Sequence, residues 1–333
     1  MHKKILFAFI ILQFLLILIL SVRFDRIDIG PVKEIASSNM EGKIFNDSQM
    51  YVKYVDYFRK SVVVQELSVP YVYRPAIPFL ASFLPFRPMT SINLINVFLL
   101  SIGLWMLCVF LHTLRFGSNA IIVGGAMYVI SFPIFYYGSV GYVDASIIAF
   151  FILGITAIYN QKWFYFACIL FTGALVKESI IILLPVALAY LIFSRQKWKW
   201  KFLLFVIAFL LPSIIVRIIF SELGTHAWIP STELLIDNLR LRAVLSNVLT
   251  LGIPGFISMF VFKYSKDILR IRGKEFYYPL LTGCVFCLLF IGYSFVSAYA
   301  DGRPMWTSYI FTIPLSLTVL ERSKFKLFHK TSS

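Results

Sequence analysis

Along this chain, hydrophobic positions gather in runs near 5–22, 92–114, 119–136, 143–159, 162–177, 178–193, 202–220, 243–263, 277–297 and 305–320. Most approach the roughly 20 residues that a helix needs to cross a bilayer. The pattern predicts an all-α polytopic membrane protein of about ten transmembrane helices, with 1–333 as a single transmembrane bundle. One stretch departs from it. Residues 23–91 read as a first extracytoplasmic loop with juxtamembrane helices, and within it Gly42–Pro88 is too polar to sit in lipid.

That loop has its own periodicity. Asn46 is placed to cap a helix, with Gln49 three residues on, an approximate capping box. Beyond it Tyr51, Tyr54 and Phe58 recur at helical spacing on one face, while Lys53, Asp56 and Lys60 occupy the other. This is an amphipathic helix suited to the membrane interface. Asp47 and Asp56 are separated by 56 − 47 = 9 positions. That is about 900° of rotation, so they point in opposite directions and cannot share a site on a straight helix. Farther on, Pro75 biases Arg74 of Tyr73-Arg74-Pro75 toward an extended backbone. A short apolar helix over Phe79–Leu84 is expected before Pro85 and Pro88 break the chain.

Composition supports this layout. Apolar residues make up 59% of the chain and charged residues 14%, against about a quarter charged in soluble domains. The net charge is 31 − 16 = +15. In a soluble protein that surplus would suggest nucleic acid. Here the basic residues fall mainly in alternate short loops (Arg115, Lys162, 195–201, 263–274, 322–330), so the surplus reads as positive-inside topology and contact with anionic membrane lipids. Both termini are expected in the cytoplasm. The apolar run at Ile5–Val22 follows Lys3-Lys4, is too long for a signal peptide and lacks a small-x-small cleavage site, so it reads as an uncleaved first span. Cys108, Cys168, Cys284 and Cys287 all lie in apolar runs, where packing is the expected role.

With this orientation the polar residues that topology does not explain fall on the outer face. Asp47 is a candidate general base or binding carboxylate, or simply a first-turn acid favoured by the helix dipole. Arg74 suits phosphate recognition, or snorkels to the interface. Asp144 opens a span in Gly141-Tyr142-Val143-Asp144 and is a candidate ligand or an N-cap. Lys177-Glu178 separates two short apolar legs with no Gly or Pro turn, so the pair is expected near membrane level, where ionisable groups are costly; its structural alternative is a mutual ion pair closing a hairpin. Asp301 and Arg303 sit in Asp301-Gly302-Arg303-Pro304. His226 reads as a loop residue. The aromatics Tyr51, Tyr54 and Tyr73 are candidates for stacking on a sugar face.

An uncleaved first span, a long outer loop with an early Asp and amphipathic helices, and many spans with outward polar motifs resemble the GT-C superfamily of integral-membrane glycosyltransferases. The segment Tyr73–Leu80 and the Gly141–Asp144 motif are also similar to those of bacterial membrane proteins tied to cell-surface glycopolymer formation. The resemblance implies transfer of a sugar from a polyprenyl-phosphate donor to an extracytoplasmic acceptor. By position it gives Asp47 the role of acting as base or orienting the acceptor, and Arg74, Lys177 and Arg303 that of binding the carrier phosphate. The side-by-side acidic pair often found in that family's first loop is absent. No motif demands a cofactor, and the resemblance leaves a divalent cation open. Two other readings stay open from the residues alone: a flippase of lipid-linked sugars, and a non-catalytic subunit of a polysaccharide assembly machine.

Overall fold

The computed structural model describes residues 3–23, 46–138, 140–225, 229–298 and 302–323. His226 and Asp301 lie outside these residues. Among the described residues the chain forms helices and turns, with no strand. In order these are α1 (Lys3–Arg23), α2 (Asn46–Phe58), α3 (Ala76–Ser82), α4 (Pro88–Thr113), α5 (Ser118–Val129), α6 (Phe132–Tyr137), α7 (Asp144–Tyr159) and α8 (Trp163–Val176). There follow α9 (Leu183–Phe193), α10 (Lys199–Ile219), α11 (Thr232–Asn238), α12 (Leu241–Ser258), α13 (Ser265–Arg272), α14 (Lys274–Ser297), α15 (Arg303–Trp306) and α16 (Tyr309–Arg322).

Helix is found at each hydrophobic run expected from sequence. Among the described residues four helices are long and apolar enough to cross a membrane: Pro88–Thr113, Lys199–Ile219, Ala243–Phe262 and Lys274–Ser297. Some of the others are shorter because the chain breaks them. Ser131 is extended and Pro133 restarts the helix as α6, splitting one expected run in two. Even one of the four long helices is interrupted: Gly252 (φ 58°, ψ −174°) kinks α12 just before Pro254. Lys177 is extended (φ −165°, ψ 138°), and a 3-10 turn over Glu178–Ile182 leads from it into α9.

The core is built on α4 and α7. Leu100, Leu104 and Leu107 of the first and Ile148, Phe151, Ile152 and Ile155 of the second are buried in one apolar cluster. Gly103 of α4 faces Ala149 of α7, and a Cβ there would stand 2.9 Å from the hydroxyl of Tyr128, which packs across it. The α8–α9 pair folds back on itself, since Trp163 at the start of α8 and Tyr190 near the end of α9 have ring centroids 6.0 Å apart. Its tip, Lys177-Glu178, therefore lies at the opposite end of the bundle, beside the start of α7.

The two ends differ in chemistry. At the end holding Arg115 and Lys162, helices close with the chain turning through a left-handed residue: Arg115, Gln161 and Arg195 have φ of 59°, 56° and 55°. The following amides reach back to otherwise free carbonyls (Phe116 to Leu111, Lys162 to Ala157, Gln196 to Leu191). Arg272 locks this end, donating to Leu114 O at 2.6 Å and pairing with Glu321 at 2.7 Å. The other end carries α2, the α6–α7 loop, the α8–α9 tip and α15.

Candidate functional site

At that second end, charged side chains from five separate segments meet. Arg303, at the start of α15, pairs with Asp47 Oδ2 at 2.7 Å and lies 3.7 Å from Asp144 Oδ2. Its guanidinium stacks 4.3 Å over the Tyr142 ring. Asp47 Oδ1 accepts a hydrogen bond from Tyr71 at 2.5 Å. Asp144 Oδ1 pairs with Lys177. Arg74 pairs through Nε with Glu178 at 2.9 Å and donates from Nη1 to Tyr51 OH at 2.9 Å. Tyr51 and Tyr71 meet edge to face at 5.5 Å. Three cations and three carboxylates are thus matched, and the network is neutral as a whole. The side chains are largely enclosed, from 8% exposed for Asp144 to 30% for Glu178.

Local sequence explains how each group arrives. Asp47 lies in the first turn of α2, where the helix dipole favours an acid. Ser48, one residue on, donates to Val140 O at 2.5 Å and ties α2 to the loop before α7. That loop is held from the other side by α4. Asn93 Oδ1 accepts from Gly141 N at 2.8 Å, Asn96 Nδ2 donates to Tyr142 O at 2.8 Å, and Ser146 Oγ donates to Asn96 Oδ1 at 2.6 Å. Gly141 permits the required φ of 74°. Arg59 fixes the segment after α3 by donating to the carbonyls of Ala81, Leu84 and Phe86 at 2.7–3.3 Å.

Electrostatics follows from this packing. Burial alone would raise the Asp47 carboxyl, but the Arg303 charge and the hydrogen bonds from Tyr71 and Arg303 outweigh it and hold the carboxyl below its usual range. Tyr71 is pushed up by burial and by the facing Asp47 charge. Asp47 is therefore ionised at neutral pH, with both oxygens occupied.

Of the residues singled out by sequence, Asp47, Arg74, Asp144, Lys177, Glu178, Arg303 and Tyr51 come together. Lys177 and Glu178 do not pair with each other; the extended backbone at Lys177 turns the two side chains to different partners, Asp144 and Arg74. Asp144 is the first residue of α7 rather than its cap, which is Val143. Tyr54 and Tyr73 turn elsewhere. Tyr54 donates to Val72 O at 3.0 Å and Tyr73 to Gly224 O at 3.2 Å, both in a second aromatic cluster with Phe220. Asp56, on the far side of α2, stays out of the network, as its rotation requires. Sequence reasoning missed Tyr71, Tyr142, Asn93, Asn96 and Arg59. Tyr71 and Arg59 stood in the polar stretch 42–88 and Tyr142 beside Asp144, whereas Asn93 and Asn96 lay inside an apolar run.

Among the described residues no three His, Cys, Asp or Glu side chains converge as metal ligands; Arg303 occupies the space between Asp47 and Asp144. Comparisons with protein-family models, curated proteins and solved structures returned no match for this chain.

Proposed function

We propose that this chain is a membrane glycosyltransferase of GT-C type, with about ten spans, both termini in the cytoplasm and the ionic network facing the cell exterior. It moves a sugar from a polyprenyl-phosphate carrier to an extracytoplasmic acceptor, a glycan, lipid or protein of the cell surface. The observation that carries the reading is the meeting of Arg74, Lys177 and Arg303 with Asp47, Asp144 and Glu178 at one end of an apolar bundle. Ionisable groups at membrane level are expensive and are kept mainly where a reaction or a pathway needs them.

The chemistry divides between the two charge types. An acceptor hydroxyl attacks the anomeric carbon, a C–O bond forms, and the bond to the carrier phosphate breaks with its electrons leaving on the phosphate. Fixed cations stabilise that leaving anion. Asp47 takes the hydroxyl proton. Both Asp47 oxygens are engaged in the resting network, so one must first be released. A carrier phosphate competing for Arg303 frees Asp47 Oδ2, which makes donor binding the event that arms the base.

Turnover of a polyprenyl-phosphate sugar by purified wild type, compared with Asp47→Asn and Arg74→Ala, tests the assignment. Asp47→Asn should lose about 100-fold or more, the lower range of general-base contributions, and Arg74→Ala should lose about 100-fold as well, the lower range for removing a group that stabilises a leaving anion. Full activity in both removes it. The second reading, a flippase for the same class of lipid, draws on the broken α8–α9 hairpin at Lys177, since transporters build sites at discontinuous helices. Sugar release from the donor in detergent, without vesicles, separates the two.

A further inference from the structure

Every cation of the ionic network already faces a carboxylate, so none offers a free charge to an arriving anion. A different cation does. Arg217, in the last turn of α10, is exposed and pairs with no carboxylate among the described residues. Its guanidinium lies 5.0 Å over the Tyr73 ring, and Tyr73 precedes Arg74 of the network. The α10 face leading to it is apolar and exposed: Leu203, Leu210 and Ile214 are 48%, 44% and 50% accessible, and their spacing aligns them with Arg217 to within about 60° around the helix. From Leu203 to Arg217 this face runs about 21 Å along the helix axis. On the other side of α10, Phe205, Phe209 and Val216 are buried in the bundle.

Beside Arg217 lies an aromatic wall. Tyr54 stacks on Phe58 at 4.9 Å, and Phe220 stands edge-on to Tyr54 at 5.9 Å and 6.3 Å from Tyr57. A cleft of about 420 Å³ opens along Tyr57, Phe58, Lys60 and Val62. A cation at the end of an apolar helical track, next to stacked rings, fits a lipid with a phosphate head and a sugar attached. The chain covers the track, the phosphate meets the guanidinium, and the sugar faces the rings.

We infer that Arg217, Tyr73 and the Tyr57–Phe58 cleft form a lateral docking site where the polyprenyl-phosphate donor is first held before its phosphate reaches the ionic network. The inference rests on the donor class proposed above and adds the site of capture. The C-terminal turn of α10 favours a cation in any case, so the test must read ligand preference and not only stability.

The experiment is lipid binding by the full chain in detergent, followed by native mass spectrometry, with three probes: a polyprenyl monophosphate, the uncharged polyprenol, and phosphatidylglycerol. Wild type should prefer the polyprenyl monophosphate over the polyprenol by about tenfold, equivalent to about 1.4 kcal/mol. Arg217→Gln should remove that preference with melting unchanged, and Arg217→Lys should keep most of it. Unaltered preference in Arg217→Gln overturns the site, as does equal binding and equal loss with phosphatidylglycerol, which would mark contact with bulk anionic lipid. Because binding is read without turnover, a chain that binds this way but never releases sugar leaves the docking site standing and removes the enzyme.

Discussion

Asp47 and Arg303 stand 256 positions apart in sequence and 2.7 Å apart in space, the longest-range ion pair among the described residues. The first turn of α2 and the start of α15 are thereby joined at one end of the bundle. Asp47→Asn and Arg303→Gln, singly and together, form a cycle whose coupling in stability should be about 0.5–3 kcal/mol, the range for contacting residues in one network. Additive effects in chemical unfolding would mean that the pair carries no weight of its own.

The Asp47 carboxyl is held below its ordinary value, so its sign with pH is fixed. Stability from this group is fully present above the unfolded value of about 3.9 and is lost as pH falls through the lower folded value. The melting difference between wild type and Asp47→Asn should be largest near neutrality and shrink toward pH ~3. A difference unchanged across that interval contradicts the assignment. Asp47 should also put no acidic limb on the turnover profile between about pH 5 and 8.

Lys177 and Asp144 are 16% and 8% exposed, a nearly enclosed pair. Removing the lysine, as in Lys177→Met, should destabilise the chain, but by less than the about 3–5 kcal/mol of a fully orphaned buried charge, because Arg303 still faces Asp144 Oδ2 at 3.7 Å. Replacing both, with Lys177→Met and Asp144→Leu, should recover most of that loss while donor turnover stays absent. If the double variant turns over donor, the pair serves the fold and not the reaction.

Gly302 sets the start of α15 with φ 86°. A Cβ there would stand 2.7 Å from Ser246 O and 2.6 Å from Thr250 Oγ1. Gly302→Ala should therefore cost about 1–2 kcal/mol from the left-handed backbone alone. The clash with α12 adds to this and shifts Arg303. Weaker turnover with a raised KM for donor is the expected readout, and a wild-type KM argues against a binding role for Arg303.

At the opposite end, Arg272 bridges Leu114 O and Glu321. Arg272→Met should destabilise by about 3 kcal/mol, with turnover per folded molecule unchanged. A catalytic defect there would mean that the two ends are coupled.

Much of the fold was legible because hydrophobic run length is a strong signal, and helix occupies every run it marked. Lengths were less legible. Ser131-Phe132-Pro133 and Gly252-Ile253-Pro254 interrupt runs that hydropathy reads as continuous. The charged members of the site stood out because ionic groups are rare in so apolar a chain. Their partners did not: whether Lys177 meets Glu178 or Asp144 depends on one extended residue between two helices. Asn93 and Asn96 were invisible for a related reason. Their bonds to the α6–α7 loop exist only once α4 and α7 have packed.

The network draws on residues 47, 74, 144, 177, 178 and 303, and so its completion is tied to synthesis of the whole chain. Asp144 and Lys177 can neutralise each other as soon as α7 and the α8–α9 hairpin have packed. Asp47 must wait until nearly all of the polypeptide has left the ribosome before its counter-ion exists. Until then Asp47 lacks the guanidinium that neutralises it in the finished fold.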